Sequence, residues 1–308
     1  MIDRRQFLRS MAAGIGSTIS LDALALQTGE PSRTAQGTAF QRAAHQLLER
    51  PLVFEDSLAL RILGAQRVKW LASNLARYET PSSRAMRAFL VTRSRYAEDE
   101  LATAHGEGIR QYMILGAGLD TFAYRNPHGT RLRVFEVDHP ATQGWKRAQL
   151  REQTIVLPRW LTFVPVDFEK DSLGDRLRAA GFTRNAPTFI SWLGVTMYLT
   201  TDAVMQTLQF VAHSCARGSR IVFDFGLPDR ALSDVERHAR TRRAERVARI
   251  GEPWISYFDP AALVQSLKDM GFTEASTIGA SEANERYFAG RTDGFRFLGS
   301  ARIMTAVV

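Results

Sequence analysis

The sequence is poor in the residues that usually build metal sites and covalent crosslinks. Cys215 is the single cysteine among 308 residues. One cysteine excludes an intramolecular disulfide and any cysteine-rich metal site. The six histidines are dispersed, and neither a Ser-His-Asp order nor a G-x-x-x-x-G-K-[ST] phosphate loop occurs. We therefore expect no metal ion, and the residues that carry function must be sought elsewhere.

Charge is unbalanced but not clustered. Lysine and arginine number 40 against 32 acids, which gives a net charge of +8. Such a surplus can attract nucleic acid or an anionic membrane surface. Here arginines are scattered among acids, which favours an ordinary solvated surface. Because the sequence shows no aromatic–basic interleaving and no recognition helix, we expect no nucleic-acid partner.

Residues 1–30 differ from the rest of the chain. Arg4 and Arg5 precede a mildly apolar stretch rich in glycine, alanine and serine, which is the layout of a twin-arginine export signal over about 1–25. The stretch is short and is interrupted by Asp22, so it does not predict an integral membrane segment. A frayed amphipathic helix, or a start at a later methionine, is the alternative interpretation.

Residues 31–308 have the pattern of an α/β domain. Over 31–106, apolar residues recur every three or four positions, which predicts a helical cap. Over 107–308, short apolar runs alternate with helical segments, and this alternation is typical of a parallel sheet covered on both faces. We expect a doubly wound, mostly parallel, Rossmann-like sheet of about seven strands with an antiparallel edge strand. An arginine-rich helix over 229–250 is the natural lid.

The first strand of this core ends in a glycine turn. Gly116 and Gly118 allow the backbone to turn tightly and let a ligand approach it closely. The third glycine of the dinucleotide fingerprint is replaced by Thr121, and Asp120 would repel a pyrophosphate. The turn therefore favours an adenosine cofactor without phosphates.

Acids follow the next two strands. Asp138 comes twenty residues after Gly118, the spacing expected for an acid that binds ribose hydroxyls. Asp167 and Phe168 end the third strand, where the acid can accept from an adenine amino group and the ring can pack on the purine. Each acid alone would be an ordinary helix N-cap, but their consecutive placement favours a site.

The fourth strand runs into SWLGVTMYL. In a doubly wound sheet this strand end faces the reacting part of the cofactor. Thr196 and Tyr198 are therefore candidate catalytic residues, although their hydroxyls could equally bond local backbone.

These motifs resemble the class I S-adenosylmethionine-dependent methyltransferases of the leucine carboxyl methyltransferase-like group. The similarity extends over about 32–308, and within the group it is greatest to bacterial methyltransferases related to polyketide O-methyltransferases. It is carried by these stretches: PSRTAQGTAFQRAAH, LVFEDSLALRIL, VTRSRY, ILGAGLDTFAYR, FEVDHPATQGWKR, VPVDFEKD, WLGVTMYLT, GEPWISYFDPAAL and RYFAGRTDG.

The resemblance implies a function and a cofactor. S-adenosyl-L-methionine would be the cofactor, and its methyl group would pass to a carboxylate or hydroxyl oxygen of a small-molecule acceptor. Arg93 would bind the methionyl carboxylate of this cofactor. Gly116 and Gly118 would line its pocket. Relatives often have a glutamate where this chain has Leu193, which leaves the methylated nucleophile open.

Two other functions compete with this interpretation. An NAD(P)-dependent oxidoreductase could use the same sheet, and a basic nucleic-acid-binding module would suit the charge. The arginines of the predicted lid could also bind an acidic acceptor, although a solvated helix face is favoured. Because S-adenosylmethionine is made inside cells, a cytoplasmic location is favoured over export.

Overall fold

The chain folds around one seven-stranded sheet. The computed structural model describes residues 33–166, 171–249 and 252–308. The predicted export signal, Asp167 and Phe168 therefore lie outside the described residues. The strands are β1 Gln111–Leu115, β2 Arg133–Asp138, β3 Leu161–Pro165, β4 Thr188–Trp192, β5 Arg220–Gly226, β6 Glu274–Ile278 and β7 Ala301–Val307. The helices are α1 Arg33–Leu48, α2 Ala65–Ser73, α3 Pro81–Gly106, α4 Phe122–Arg125, α5 Pro140–Glu152, α6 Leu173–Ala179, α7 Thr201–Ser214, α8 Asp234–Arg249, α9 Pro260–Asp269 and α10 Ala280–Tyr287.

The strand order confirms the predicted doubly wound sheet. It is β3-β2-β1-β4-β5-β7-β6, and the pairs from β3 to β5 are parallel. Strand β7 runs antiparallel to both β5 and β6, so the pairing at the β6 edge is antiparallel. The order of the strands reverses between β1 and β4, and this reversal is where such sheets bind ligands.

The central strands are buried on both faces. Every residue of β1 and of β4 is buried, as expected for the near-continuous apolar runs of a covered parallel sheet. Side chains alternate between two cores: Met113 and Leu115 pack on one face, whereas Tyr112 and Ile114 pack on the other. The second face is the one on which Tyr96 and Leu101 of α3 pack.

The N-terminal helices are fixed to one another by buried ionic contacts. Glu49 accepts two hydrogen bonds from Nε of Arg87 at 3.0 and 3.1 Å, and His45 Nδ1 lies 2.9 Å from its carboxylate. Desolvation lowers the pKa of His45, and its Nε2 accepts from the backbone N–H groups of Val53 and Phe54. The neutral ring thereby connects α1 to the loop that follows it.

Helix α8 starts later than the predicted 229–250 helix. A short 3-10 turn occupies Asp229–Ala231, and the α-helix begins at Asp234. Ser233 and Glu236 form a reciprocal capping pair, because Glu236 N donates to the Ser233 hydroxyl while Ser233 N donates to the Glu236 carboxylate at 3.0 Å. This pair stops the helix from extending backwards to residue 229. Ile250 lies outside the described residues.

Candidate functional site

A cavity opens at the carboxyl ends of β1 and β4, where the strand order reverses. The end of β1 and the loop after it give half of the lining residues, and the others come from helices α1 and α3 and from the end of β4. The described residues that line it are Ala35, Thr38, Arg42, Arg93, Ser94, Ile114, Leu115, Gly116, Ala117, Gly118, Leu119, Asp120, Ser191 and Leu193. Gly116, Gly118 and Arg93, three residues that the sequence predicted for cofactor binding, are among them.

The glycine turn has the backbone geometry that its sequence predicts. Gly116 and Gly118 have φ angles of 66° and 46°, in the left-handed region that side chains other than glycine rarely adopt. The N–H of Gly116 donates to the carbonyl of Val137 at 2.9 Å. The loop is therefore held against the end of β2.

Asp138 lies directly beside this turn. Gly118 N donates to its Oδ2 at 2.6 Å, and His139 N donates to its Oδ1 at 2.8 Å. The side chain is almost completely buried, and the N-cap of α5 is His139 rather than Asp138. The structure thus brings together the glycine turn and the predicted ribose acid, and it places the alternative N-cap role on the neighbouring residue.

Arg93 reaches the cavity wall from the middle of α3. Its Nη1 donates to Oδ2 of Asp224 at 2.9 Å, and Asp224 is completely buried in β5. The other carboxylate oxygen of Asp224 accepts from the N–H of Gly194 at 2.5 Å. Gly194 has a φ of +68°, and a Cβ added there would lie 2.6 Å from Nη2 of Arg93. Glycine is therefore required at 194 for the guanidinium to sit against the backbone, a requirement that sequence reasoning missed.

The helix after the glycine turn is unsuited to a pyrophosphate. It is only the four residues of α4, and Asp120 Oδ1 accepts from the N–H of Phe122 at 2.8 Å. A carboxylate thus occupies the position at which a dinucleotide fold presents N–H groups to phosphate. This geometry agrees with the sequence argument against NAD(P).

Helix α1 contributes a face that sequence reasoning missed. Ala35, Thr38 and Arg42 line the cavity at spacings of three and four residues, which places them on one side of the helix. Nη2 of Arg42 donates to the carbonyl of Leu119 at 2.6 Å, and its Nε lies 3.4 Å from Oδ2 of Asp56. The cap is therefore part of the cavity wall and is bonded to the glycine loop.

A second set of ionic contacts holds the end of the glycine loop. Asp56 accepts from the Thr121 hydroxyl at 2.8 Å, and Arg125 pairs with both Asp56 and Glu98. Burial raises the pKa of Glu98 even though Arg125 opposes that change. Thr121, which replaces the third glycine of the fingerprint, thus connects α4 to the helical cap.

The candidate catalytic hydroxyls are not in the described cavity wall. Thr196 is completely buried, and its hydroxyl donates to the backbone carbonyl of Asp224 at 2.5 Å. Tyr198 is buried as well. From the same strand end, Ser191 and Leu193 do line the cavity, and Ser191 shares a 2.8 Å hydrogen bond with the Tyr112 hydroxyl. A catalytic role for Thr196 or Tyr198 stays a prediction.

Residues 33–166, 171–249 and 252–308 contain neither a metal-binding cluster nor a membrane-spanning helix. No group of three or more histidine, cysteine or acidic side chains there could hold a metal ion. No helix in those ranges is long and apolar enough to cross a membrane.

The strand order and a glycine turn facing an acid define a doubly wound α/β protein of the cofactor-binding class. A family model described as leucine carboxyl methyltransferase matches residues 35–212. The chain belongs to the leucine carboxyl methyltransferase family. The assignment made from the sequence motifs is thereby confirmed.

Relatives in sequence agree with this assignment, and a solved structure shares the fold. A Bacillus subtilis (strain 168) protein named "Putative S-adenosyl-L-methionine-dependent methyltransferase YktD" is 30% identical over 293 residues, covering 87% of this chain and 95% of the relative. A Frankia alni protein with the same description is 36% identical over 216 residues, covering 64% and 70%. The crystal structure of a "putative methyltransferase" from Thermobifida fusca YX shares the fold, with a TM-score of 0.52, 16% identity and coverage of 83% and 96%.

Proposed function

We propose that this chain transfers a methyl group from S-adenosyl-L-methionine to a carboxylate oxygen of a small molecule. The observation that carries the proposal is the cavity at the reversal of strand order, in which Arg93 and the glycine turn share one wall with Leu193. The family supplies the cofactor and the reaction type. The residues that line the cavity indicate whether the methylated oxygen belongs to a carboxylate or to a hydroxyl group.

The polar groups fit the two ends of the cofactor. Each oxygen of Asp138 accepts one backbone N–H and keeps a second lone pair, so the carboxylate can also accept from ribose hydroxyls. Arg93 uses one donor on Asp224, and a guanidinium has five, so others can bind the methionyl carboxylate. Asp167 and Phe168, outside the described residues, stay predicted contacts to adenine.

When bound, this cofactor supplies a methyl group already activated by its sulfonium, so the protein has little covalent chemistry to perform. The chain must hold the acceptor oxygen in line with the methyl carbon and keep water away. Leu193 and Ile114 give the β4 end of the cavity apolar surface, which limits competing water.

None of the described residues that line the cavity is a suitable general base beside β4. The only ionisable side chains among the described lining residues are Arg42, Arg93 and Asp120. Arginine stays protonated, and Asp120 lies on the glycine loop with one oxygen bonded to Phe122 N. Burial raises the pKa of Tyr112 well above its ordinary value, so its hydroxyl also keeps its proton. A carboxylate needs no base at neutral pH, whereas a hydroxyl does, and this favours a carboxylic acid as acceptor.

The nature of the methylated oxygen can be read from the product. The full chain would be incubated with S-adenosylmethionine labelled in its methyl group and with matched panels of small carboxylic acids and phenols. We expect label in the acid panel that alkali releases as methanol, because methyl esters hydrolyse and methyl ethers do not. An Asp138→Ala variant, which lacks the proposed ribose contact, gives the background level of label.

Two results would count against this assignment. Alkali-resistant label confined to the phenol panel would contradict a carboxylate acceptor. A chain that transfers to neither panel and does not bind S-adenosylhomocysteine would contradict the proposal as a whole.

Because the donor is made inside cells, we place this activity in the cytoplasm.

A further inference from the structure

Two buried hydroxyl groups meet beside the cavity. Tyr112 of β1 and Ser191 of β4 share a hydrogen bond of 2.8 Å, and both side chains are almost completely buried. Ser191 is one of the residues that line the cavity, whereas Tyr112 is not. The sequence motifs assign neither residue to the cofactor or to catalysis, so the role of the pair has to be found from its geometry.

The ring of Tyr112 is fixed among other aromatic rings. It makes edge contacts with Phe122 and Phe189, with ring centroids 5.0 and 5.5 Å apart. Apart from Ser191, no described residue forms a hydrogen bond with the Tyr112 hydroxyl. Burial raises the pKa of Tyr112 well above its ordinary value, so this hydroxyl keeps its proton. Among the described residues, the Ser191 oxygen is therefore the acceptor available to that proton.

This arrangement sets the direction of the hydrogen bond. If Ser191 donated to Tyr112, the phenolic proton would be buried without an acceptor, which is costly. Tyr112 therefore donates, and the Ser191 oxygen accepts. A serine hydroxyl that accepts a hydrogen bond still has its own hydrogen to donate, and none of the described side chains or carbonyls takes that hydrogen. The Ser191 hydroxyl is thus a hydrogen-bond donor at the cavity wall.

The register of the sheet places this donor on the same side as Arg93. Ser191 pairs with Val222 of β5, which belongs to the core that packs on α3. Asp224 comes two residues after Val222 and therefore faces the same side, about 7 Å further along the strand. Its carboxylate accepts from Nη1 of Arg93 at 2.9 Å, and Arg93 lines the same cavity as Ser191. The hydroxyl and the guanidinium are thus neighbouring donors on one wall.

We propose that the Ser191 hydroxyl donates to the methionyl carboxylate of the cofactor beside Arg93, and that Tyr112 positions it for this contact. The inference rests on the proposed function, which assigns the methionyl carboxylate to Arg93. A carboxylate oxygen accepts the Ser191 hydrogen in a charge-assisted hydrogen bond. The methionyl ammonium group can only donate, so it does not match a hydroxyl that presents its hydrogen.

The test compares two ligands that differ only in the carboxylate. S-adenosylhomocysteine and its decarboxylated analogue would be titrated calorimetrically into the full chain and into its Ser191→Ala variant. We expect Ser191→Ala to bind S-adenosylhomocysteine about tenfold or more weakly, and to bind the decarboxylated analogue as the wild type does. Tyr112→Phe should show the same selectivity with a smaller loss, about threefold, because the Ser191 hydroxyl remains but is no longer oriented.

A second pair of buried hydroxyls supplies matched controls. The Tyr96 hydroxyl shares a 2.8 Å hydrogen bond with that of Thr305, and neither residue lines the cavity. Tyr96→Phe and Thr305→Val should leave the affinity for both ligands unchanged. The double variant Tyr112→Phe/Ser191→Ala should bind S-adenosylhomocysteine as weakly as Ser191→Ala does, because Tyr112 acts through Ser191.

Other outcomes decide against the contact or against the proposed function. Unchanged binding of S-adenosylhomocysteine by Ser191→Ala, or an equal loss for the two ligands, would overturn the contact and leave the proposed function standing. Additive losses in the double variant would overturn the positioning role of Tyr112. A wild-type chain that binds neither ligand would refute the proposed function and the contact with it.

A second pair of variants applies if Ser191→Ala fails to fold. Ser191→Thr keeps the hydroxyl, whereas Ser191→Val has nearly the same shape without it. We expect S-adenosylhomocysteine to bind more tightly to the threonine variant than to the valine variant, and the decarboxylated analogue to bind both alike. Equal affinity of the two variants for S-adenosylhomocysteine would overturn the contact.

Discussion

Replacing Asp138 with alanine is expected to weaken S-adenosylhomocysteine binding by about 100-fold, since each hydrogen bond to a charged group contributes roughly 1.5–3 kcal/mol. The variant loses the acceptor for the ribose hydroxyls. It also loses the 2.6 Å bond that fixes Gly118 N and thereby the shape of the glycine turn. Isothermal titration calorimetry measures the change directly.

A matched control separates this effect from a general change in charge. Asp175 on α6 is an exposed acid whose ion pair among the described residues is with Arg178, another exposed side chain, and Asp175→Ala removes the same charge from a residue that does not line the cavity. We expect it to bind S-adenosylhomocysteine as the wild type does. If Asp138→Ala folds normally and binds within about threefold of the wild type, a difference worth well under 1.4 kcal/mol, the ribose role of Asp138 is wrong.

Arg93→Met is expected to destabilise the fold by about 3–5 kcal/mol, because it leaves the carboxylate of Asp224 buried without its counter-charge. It should also weaken S-adenosylhomocysteine binding, because the cation assigned to the methionyl carboxylate is lost. Urea denaturation measures the first effect and calorimetry the second.

The double variant Arg93→Met/Asp224→Asn separates the two roles of Arg93. Removing the buried charge of Asp224 should restore much of the stability, while the asparagine oxygen can still accept from Gly194 N. Cofactor affinity should stay low, because no cation has been returned to the cavity. Recovery of affinity together with stability would show that Arg93 acts only through the fold, and would contradict its predicted contact with the methionyl carboxylate.

The sheet and the glycine turn could be predicted because their signals are local. Buried parallel strands are near-continuous apolar runs, so the alternation of strands and helices can be read directly from the chain. The pairing of Gly118 with Asp138 follows from the spacing between the carboxyl ends of two adjacent strands. Both features depend on neighbouring elements and not on distant packing.

The parts of the site that were missed depend on long-range packing. Arg42 looks like an ordinary basic residue of a helix, and only the docking of α1 against the loop after β1 brings it to Leu119. Asp224 stands inside the apolar run IVFDFG, and an acid in a fully buried strand was the available signal that a cation must lie opposite. Its partner Arg93 is 131 residues away along the chain, so spacing could not identify the pair.

The late start of α8 could have been predicted from the sequence. Ser233 and Glu236 have the S-x-x-E spacing of a capping box, which marks a helix N-terminus. The arginine pattern over 229–250 suggested a longer helix, because charge spacing alone does not show where a helix begins.

Calorimetric titration of the full chain with S-adenosylhomocysteine and with NAD, side by side, tests the central claim most directly. The geometry of the glycine turn, with Asp120 at the start of α4 and Asp138 on Gly118, predicts binding of S-adenosylhomocysteine in a 1:1 complex and no binding of NAD. Binding of NAD together with no binding of S-adenosylhomocysteine would contradict an adenosine site that excludes pyrophosphate, and with it the proposed methyl transfer.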